Sequence, residues 1–142
     1  MEYALVKKAF RDCPRFQGIE DEFLALLFWR AEERTARSGE RIYEEGSTSD
    51  NTLALLVNGE LDIFRDGVSI CKISPFEVFG EIAYFEIVKL RTSTVVVASP
   101  TASYLLFRIY PEELKAGPFA ELGKRLSIQA WETFVKDAQR EM

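Results

Sequence analysis

The chain has 142 residues, 47% hydrophobic and 29% charged, with a formal net charge of −5. That is enough for one domain with a sizeable core, and the acidic balance argues against an extended nucleic-acid surface. Histidine is absent, which excludes imidazole-ligated metal catalysis and Ser-His or Cys-His nucleophile pairs.

The first predicted element is a helix over 3–12, where Leu5, Val6, Ala9 and Phe10 recur at helical spacing. Its charged, amphipathic start is unlike a secretory leader, and no segment of the chain is apolar for long enough to cross a membrane. Pro14 ends that helix. A second helix opens at Asp21 and Glu22, where acids favour the dipole, and is filled by Phe23, Leu24, Leu26, Leu27 and Phe28. Trp29 is expected in the core.

From about residue 31 short apolar runs alternate with turn residues, at the spacing of a sandwich or barrel. Leu53–Val57 reads as a buried strand. Asn58-Gly59 predicts a hairpin into Leu61–Phe64, and Asp66-Gly67 a second hairpin into Val68–Ile73. Val95–Ala98 and Ser103–Ile109 are the last predicted strands. Pro111-Glu112-Glu113-Leu114 starts a helical turn, Gly117-Pro118 breaks it, and one long helix runs from about Phe119 to the end. Cys13 and Cys71 have no metal-ligand spacing and give no disulfide framework, which fits a reducing cytoplasm. Arg41, Arg65 and Arg108 read as solvated surface charges.

The richest stretch is Phe79-Gly80-Glu81-Ile82-Ala83, followed after seven residues by Arg91-Thr92-Ser93-Thr94. Backbone N–H groups at a helix start attract anions. Arginine grips a phosphate through two parallel hydrogen bonds. A carboxylate such as Glu81 accepts a hydrogen bond from a ribose 2′-OH. Together these groups suit a small phosphate ester that carries a sugar hydroxyl. The alternative is an internal ion pair between Glu81 and Arg91 with no ligand.

Taken in order, these motifs resemble the cyclic nucleotide-binding domain, the family of the catabolite activator protein and protein-kinase regulatory subunits. Phe16-Gln17-Gly18-Ile19 looks like its helical cap, Tyr43-Glu44-Glu45-Gly46 like its first glycine turn, and Asn51–Leu61 like its central hairpin. Phe79–Ala83 with Arg91-Thr92 is similar to its phosphate-binding cassette. The loop 84–90 departs from that pattern: it is bulky and apolar, lacks the usual glycine or proline, and places Glu86 near an anion site.

The resemblance implies a mainly β fold, an antiparallel jelly-roll β-barrel with N-terminal helices and a long C-terminal helix. The corresponding layout of 1–142 is a helical cap 1–30, a barrel 31–110 and C-terminal helices 111–142. It implies cAMP or cGMP as ligand, with no metal and no other cofactor. Arg91 would hold the phosphate, Glu81 the ribose, and the backbone of Gly80, Ile82 and Ala83 would line both. Thr92 would reach the phosphate or the base.

On the last helix, Phe119, Leu122, Leu126, Ala130 and Phe134 form one apolar sector; Ile128, Trp131, Val135 and Ala138 form another. The second sector is either a broader core face or a surface for ligand or partner, with Trp131 capping the base. The expected function is a regulatory, non-enzymatic ligand sensor that signals through this helix to a homodimer mate or another protein. With Met142 as its end the chain leaves no room for a helix-turn-helix, so DNA binding is not expected. The alternative is a degenerate domain of the same fold, acting as an interaction or dimerisation scaffold without nucleotide.

Overall fold

The computed structural model describes residues 3–80, 90–117 and 119–140. Helix α1 (Tyr3–Asp12) leads through a 3₁₀ turn at Pro14–Phe16 to α2 (Asp21–Arg30). Eight strands follow: β1 (Glu32–Arg37), β2 (Arg41–Tyr43), β3 (Thr52–Asn58), β4 (Leu61–Arg65), β5 (Val68–Ile73), β6 (Val78–Phe79), β7 (Thr94–Val97) and β8 (Thr101–Arg108). A second 3₁₀ turn at Pro111–Leu114 precedes α3 (Ala120–Arg140).

The strands form two antiparallel four-stranded sheets, β1-β8-β3-β6 and β2-β7-β4-β5. This corrects the expected closed barrel: among the described residues no ladder of paired strands joins one sheet to the other. It also corrects the hairpin expected at Asn58-Gly59. β3 pairs with β6 and β8, whereas β4 pairs with β5 and β7, so this turn carries the chain from one sheet to the other. The Asp66-Gly67 turn does join a hairpin, with Arg65 opposite Val68 and both central residues at positive φ, as a type I′ turn needs.

β3 is buried from Thr52 to Val57 because the first sheet is covered on both faces. Leu53, Leu55 and Val57 alternate toward the helices, where they meet Val6, Phe10, Phe16, Leu27, Leu105, Phe107, Phe119, Leu122 and Leu126. Ala54 and Leu56 point the other way, into a second core shared with Leu61, Ile73, Val95 and Val97 of the facing sheet. A strand buried on both faces reads as an unbroken apolar run.

Trp29 is not in either core; it is 84% exposed. α2 buries Leu27 fully and packs Leu24 against the core. Trp29 follows Leu27 by two residues, about 200° around the helix, and so points away from that face. The charged strand β1, which has no apolar run to reveal it, forms one edge of its sheet.

The 3₁₀ turn and the start of α3 are tied to the rest by close contacts. Arg30 pairs with Glu113 at 2.7 Å and lies 5.0 Å from the Phe119 ring centre. Gly123 sits so near the 3₁₀ turn that a Cβ there would stand 2.0 Å from the Leu114 carbonyl oxygen. Of the two apolar sectors expected on the last helix, Phe119, Leu122 and Leu126 are buried, while Ile128 and Trp131 are 56% and 66% exposed.

Candidate functional site

Arg91 stands three residues before β7, and its backbone is fixed by the turn that follows β2. Its N–H donates to Ser47 O at 2.8 Å, and its carbonyl accepts from the Gly46 N–H at 2.9 Å. This pairing directs the side chain inward, where it is 5% exposed. A guanidinium in that position must be satisfied on all sides, since an unpaired buried charge is costly.

Four residues meet it. Nη1 donates to Gly80 O at 3.0 Å. Nη2 lies 2.7 Å from Asp50 Oδ1, 2.9 Å from Thr52 O and 3.2 Å from Thr52 Oγ1. The guanidinium carbon is 3.7 Å from the centre of the Tyr43 ring, a cation–π contact over the ring face. Gly80 has φ +89°, and a Cβ there would come within 2.8 Å of the Tyr43 ring and 3.0 Å of Arg91 Nη1. Only glycine lets the backbone carbonyl approach this closely.

Thr52 Oγ1 joins these groups. It donates to Asp50 Oδ1 at 2.6 Å, which uses its single hydrogen. Tyr43 Oη, 3.1 Å away, is therefore the donor to Thr52 Oγ1. The hydroxyl accepts from Tyr43 and Arg91 and donates to Asp50, so its capacity is filled. Burial pushes the Tyr43 phenol up to about 12, against the lowering effect of Arg91 and of the Thr52 hydrogen bond. At Asp50, burial by itself would raise the carboxyl, but hydrogen bonds from Thr52 and Arg91 and the guanidinium charge hold it below the ordinary value.

Two arginines expected as plain surface charges grip the backbone on either side. Arg108 Nη1 donates to Asp50 O at 2.8 Å, and Arg65 Nε donates to Thr92 O at 3.1 Å. The sequence reading also missed Asp50 itself. Its signal is local: Asp50 two residues before Thr52 is the spacing at which an Asp side chain bonds its own backbone two residues on. Thr52 N–H does donate to Asp50 Oδ1 at 3.3 Å.

Of the expected site residues, the structure brings Gly80 and Arg91 into hydrogen-bond contact and leaves Thr92 half-buried beside them. Glu81, Ile82, Ala83 and Glu86 lie outside the described residues. The groups around the guanidinium are Asp50, Thr52, Gly80 and Tyr43; Trp131 stands exposed on α3. Among the described residues, no group of three His, Cys, Asp or Glu could hold a metal ion, and no helix is long and apolar enough to cross a membrane.

The sequence profile of the cyclic nucleotide-binding domain matches residues 33–114, more than half of the chain and all of the site just described. The chain belongs to the cyclic nucleotide-binding domain family. Domains of this family are regulatory binding modules rather than catalysts. No curated protein matches the chain in sequence.

Solved structures share the fold at low identity. The regulatory subunit of a cAMP-independent protein kinase A from Trypanosoma cruzi, bound to guanosine, matches with a TM-score of 0.70 and 18% identity, over 94% of this chain and 44% of that one. The regulatory domain of Toxoplasma gondii PKA with cAMP matches at 0.66 and 17%, over 81% and 45%. The catabolite activator protein of Thermus thermophilus matches at 0.60 and 21%, over 90% and 59%. The chain thus spans about half the length of these kinase subunits. Arg91 lies within the matched segment and is buried there.

Proposed function

We propose that this domain binds a cyclic mononucleotide, cAMP or cGMP, and passes the event on through α3. The observation that carries the reading is Arg91: a buried guanidinium fixed in place on the inner side of a cyclic nucleotide-binding fold. Gly80, Glu81, Ile82, Ala83, Arg91 and Thr92 form the cassette in this reading. Arg91 binds the phosphate and Glu81 the ribose hydroxyl. The related structures with cAMP and with guanosine support a nucleotide or nucleoside as the ligand class. Trp131 on the exposed sector of α3 covers the base, and α3 carries the output to a second copy or another protein.

A second reading is favoured by Asp50. Its carboxylate already occupies the guanidinium at 2.7 Å, as an anionic ligand would. In that case the domain is a scaffold whose arginine serves an internal ion pair. Calorimetry with cAMP and cGMP separates the two. Saturable heat from either nucleotide, lost in Arg91→Ala, supports the sensor. No heat from either with the unmutated protein supports the scaffold.

A further inference from the structure

Tyr43 touches Arg91 in two ways. The ring face lies 3.7 Å from the guanidinium carbon, and the hydroxyl holds Thr52 Oγ1, which in turn accepts from Arg91 Nη2. We infer that Tyr43 is a positioning residue for the anion site, whose ring face sets the plane in which Arg91 presents its N–H groups. The inference rests on the proposed function, since that reading makes Arg91 the phosphate ligand.

The geometry separates this role from ordinary packing. A guanidinium has a planar fork of donors, so a fixed plane decides where its parallel hydrogen bonds can point. Tyr43 offers the negative face of its ring rather than the edge, which is the attractive side for a cation. The ring is itself held. Phe79 packs edge-on at 5.8 Å between centres, and the hydroxyl is anchored on Thr52. Gly80 leaves it room, since a Cβ there would collide with Tyr43 Cε2.

A leucine or isoleucine would fill a core position at the end of β2 without burying a phenol. The phenol hydroxyl is buried and so enters the core at a desolvation cost, which one hydrogen bond to Thr52 offsets. The hydrogen bonds hold the fork at both terminal nitrogens, Nη1 on Gly80 O and Nη2 on Asp50 and Thr52. The ring face closes one side of that plane, 3.7 Å from the guanidinium carbon, and so backs the fork against tilting.

The test compares the unmutated protein with Tyr43→Phe and Tyr43→Leu. Calorimetry with cAMP and cGMP reads affinity, and the Arg91 Nε–H resonance of the unliganded protein, assigned by its loss in Arg91→Lys, reads the stacking directly. The ring current should move that resonance upfield in the unmutated protein and in Tyr43→Phe, and the shift should vanish in Tyr43→Leu. Affinity should fall about thirtyfold in Tyr43→Leu, the scale of one desolvated cation–π contact, and return to within about threefold in Tyr43→Phe, which loses only the hydroxyl's modest hydrogen bond.

Equal affinity in Tyr43→Leu and the unmutated protein overturns the inference. So does a loss in Tyr43→Phe as large as in Tyr43→Leu, because the hydroxyl and not the ring face would then be the active part. If Tyr43→Leu does not fold, Tyr43→Phe and the unliganded spectrum decide. If the unmutated protein binds neither nucleotide, the proposed function fails, while the Arg91 resonance still tests the stacking. An unshifted resonance there overturns the role of Tyr43 separately.

Discussion

Asp50 Oδ1 and Arg91 Nη2 stand 2.7 Å apart, yet the two side chains live in different surroundings: Arg91 is 4% exposed and Asp50 54%. A buried base is therefore neutralised by an acid that still reaches solvent. Water can hydrate Asp50 if a competing anion takes its place, so exchanging the carboxylate for a phosphate strands no buried acid. The arrangement keeps the cation charged and oriented. It also makes the energetics asymmetric, because loss of Arg91 removes the centre and loss of Asp50 removes one contact of several.

Arg91→Ala should nearly abolish nucleotide binding. Truncating one partner of a buried, charged hydrogen bond costs about 2–5 kcal/mol, or roughly tens to thousands of fold in affinity. Arg91→Lys should not restore it, because a lysine cannot form the parallel pair of bonds or stack on Tyr43. Titration calorimetry checks both variants, with circular dichroism to confirm folding. Binding by Arg91→Ala within threefold of the unmutated protein removes the phosphate-clamp assignment.

Asp50 gives a pH dependence with a definite sign. Its folded pKa is held below the unfolded value, chiefly because hydrogen bonds from Thr52 and Arg91 and the guanidinium charge overcome the effect of burial. The stability it contributes is thus fully present above the unfolded value, about pH 4. It is lost as pH falls through the lower folded value. The stability difference between the unmutated protein and Asp50→Asn should hold steady from pH 6 down to about pH 4 and shrink as pH falls further, below the unfolded value. Urea titrations across that range measure it. A constant difference means that Asp50 does not titrate against Arg91.

Thr52 links Tyr43, Asp50 and Arg91, so Thr52→Val should destabilise beyond what its shape change explains. Valine matches the volume but leaves the buried Tyr43 hydroxyl without its acceptor, a loss of about 1–3 kcal/mol. Tyr43→Phe removes the stranded hydroxyl. The double variant should accordingly be less destabilised than the sum of the two single variants, by roughly 0.5–3 kcal/mol, the usual range for residues in one network. Strict additivity in denaturant titrations would show that the Tyr43–Thr52 bond carries no net energy.

Gly123→Ala tests the seat of α3. Replacing glycine by alanine inside a helix ordinarily stabilises by about 1 kcal/mol. Here the added methyl would stand 2.0 Å from the Leu114 carbonyl oxygen, a backbone atom that cannot rotate away. Overpacking of this kind costs about 1–3 kcal/mol, which outweighs the helix gain over most of that range. The expected result is a lower Tm by scanning calorimetry. A higher Tm would mean that α3 does not sit against Pro111–Leu114 as described.

The order of the motifs made the family legible in the sequence, because each has a local cause. The apolar run at β3 reflects burial on two faces, and Asp66-Gly67 reflects the positive φ of a type I′ turn. Strand partners were not legible at Asn58-Gly59, where the same turn chemistry serves a hairpin or a passage between sheets. Trp29 was misplaced because α2 is apolar on several sides, and periodicity alone could not choose the face that meets the core. Within the site, Arg91 and Gly80 stood out as a pair. Asp50 and Tyr43 did not, since they lie 41 and 48 residues from Arg91 and meet it only when β2, β3 and the start of β7 converge. Arg65 and Arg108 were read as surface charges for the same reason: their carbonyl partners are distant in sequence.

Trp131 offers an optical test of the output route. It lies three residues after Ile128 on α3, and both side chains are more than half exposed, which places them on one stretch of the helix surface. If this surface covers the nucleotide base or meets a second copy when ligand binds, the indole passes from water to an apolar contact. Its emission should then move to shorter wavelength or be quenched. The second tryptophan, Trp29, is 84% exposed and would mask the change, so the measurement uses a Trp29→Phe background. Stacking of an aromatic on a base is worth about 1–3 kcal/mol, so Trp131→Ala should weaken nucleotide binding by roughly 5- to 150-fold if the contact is with the base. If the contact is with a second copy, Trp131→Ala should instead abolish ligand-dependent dimerisation, read by light scattering, and leave affinity nearly unchanged. An unchanged spectrum at saturating nucleotide, with a monomer in both states, would exclude Trp131 from both roles and require the signal to leave the domain by another surface.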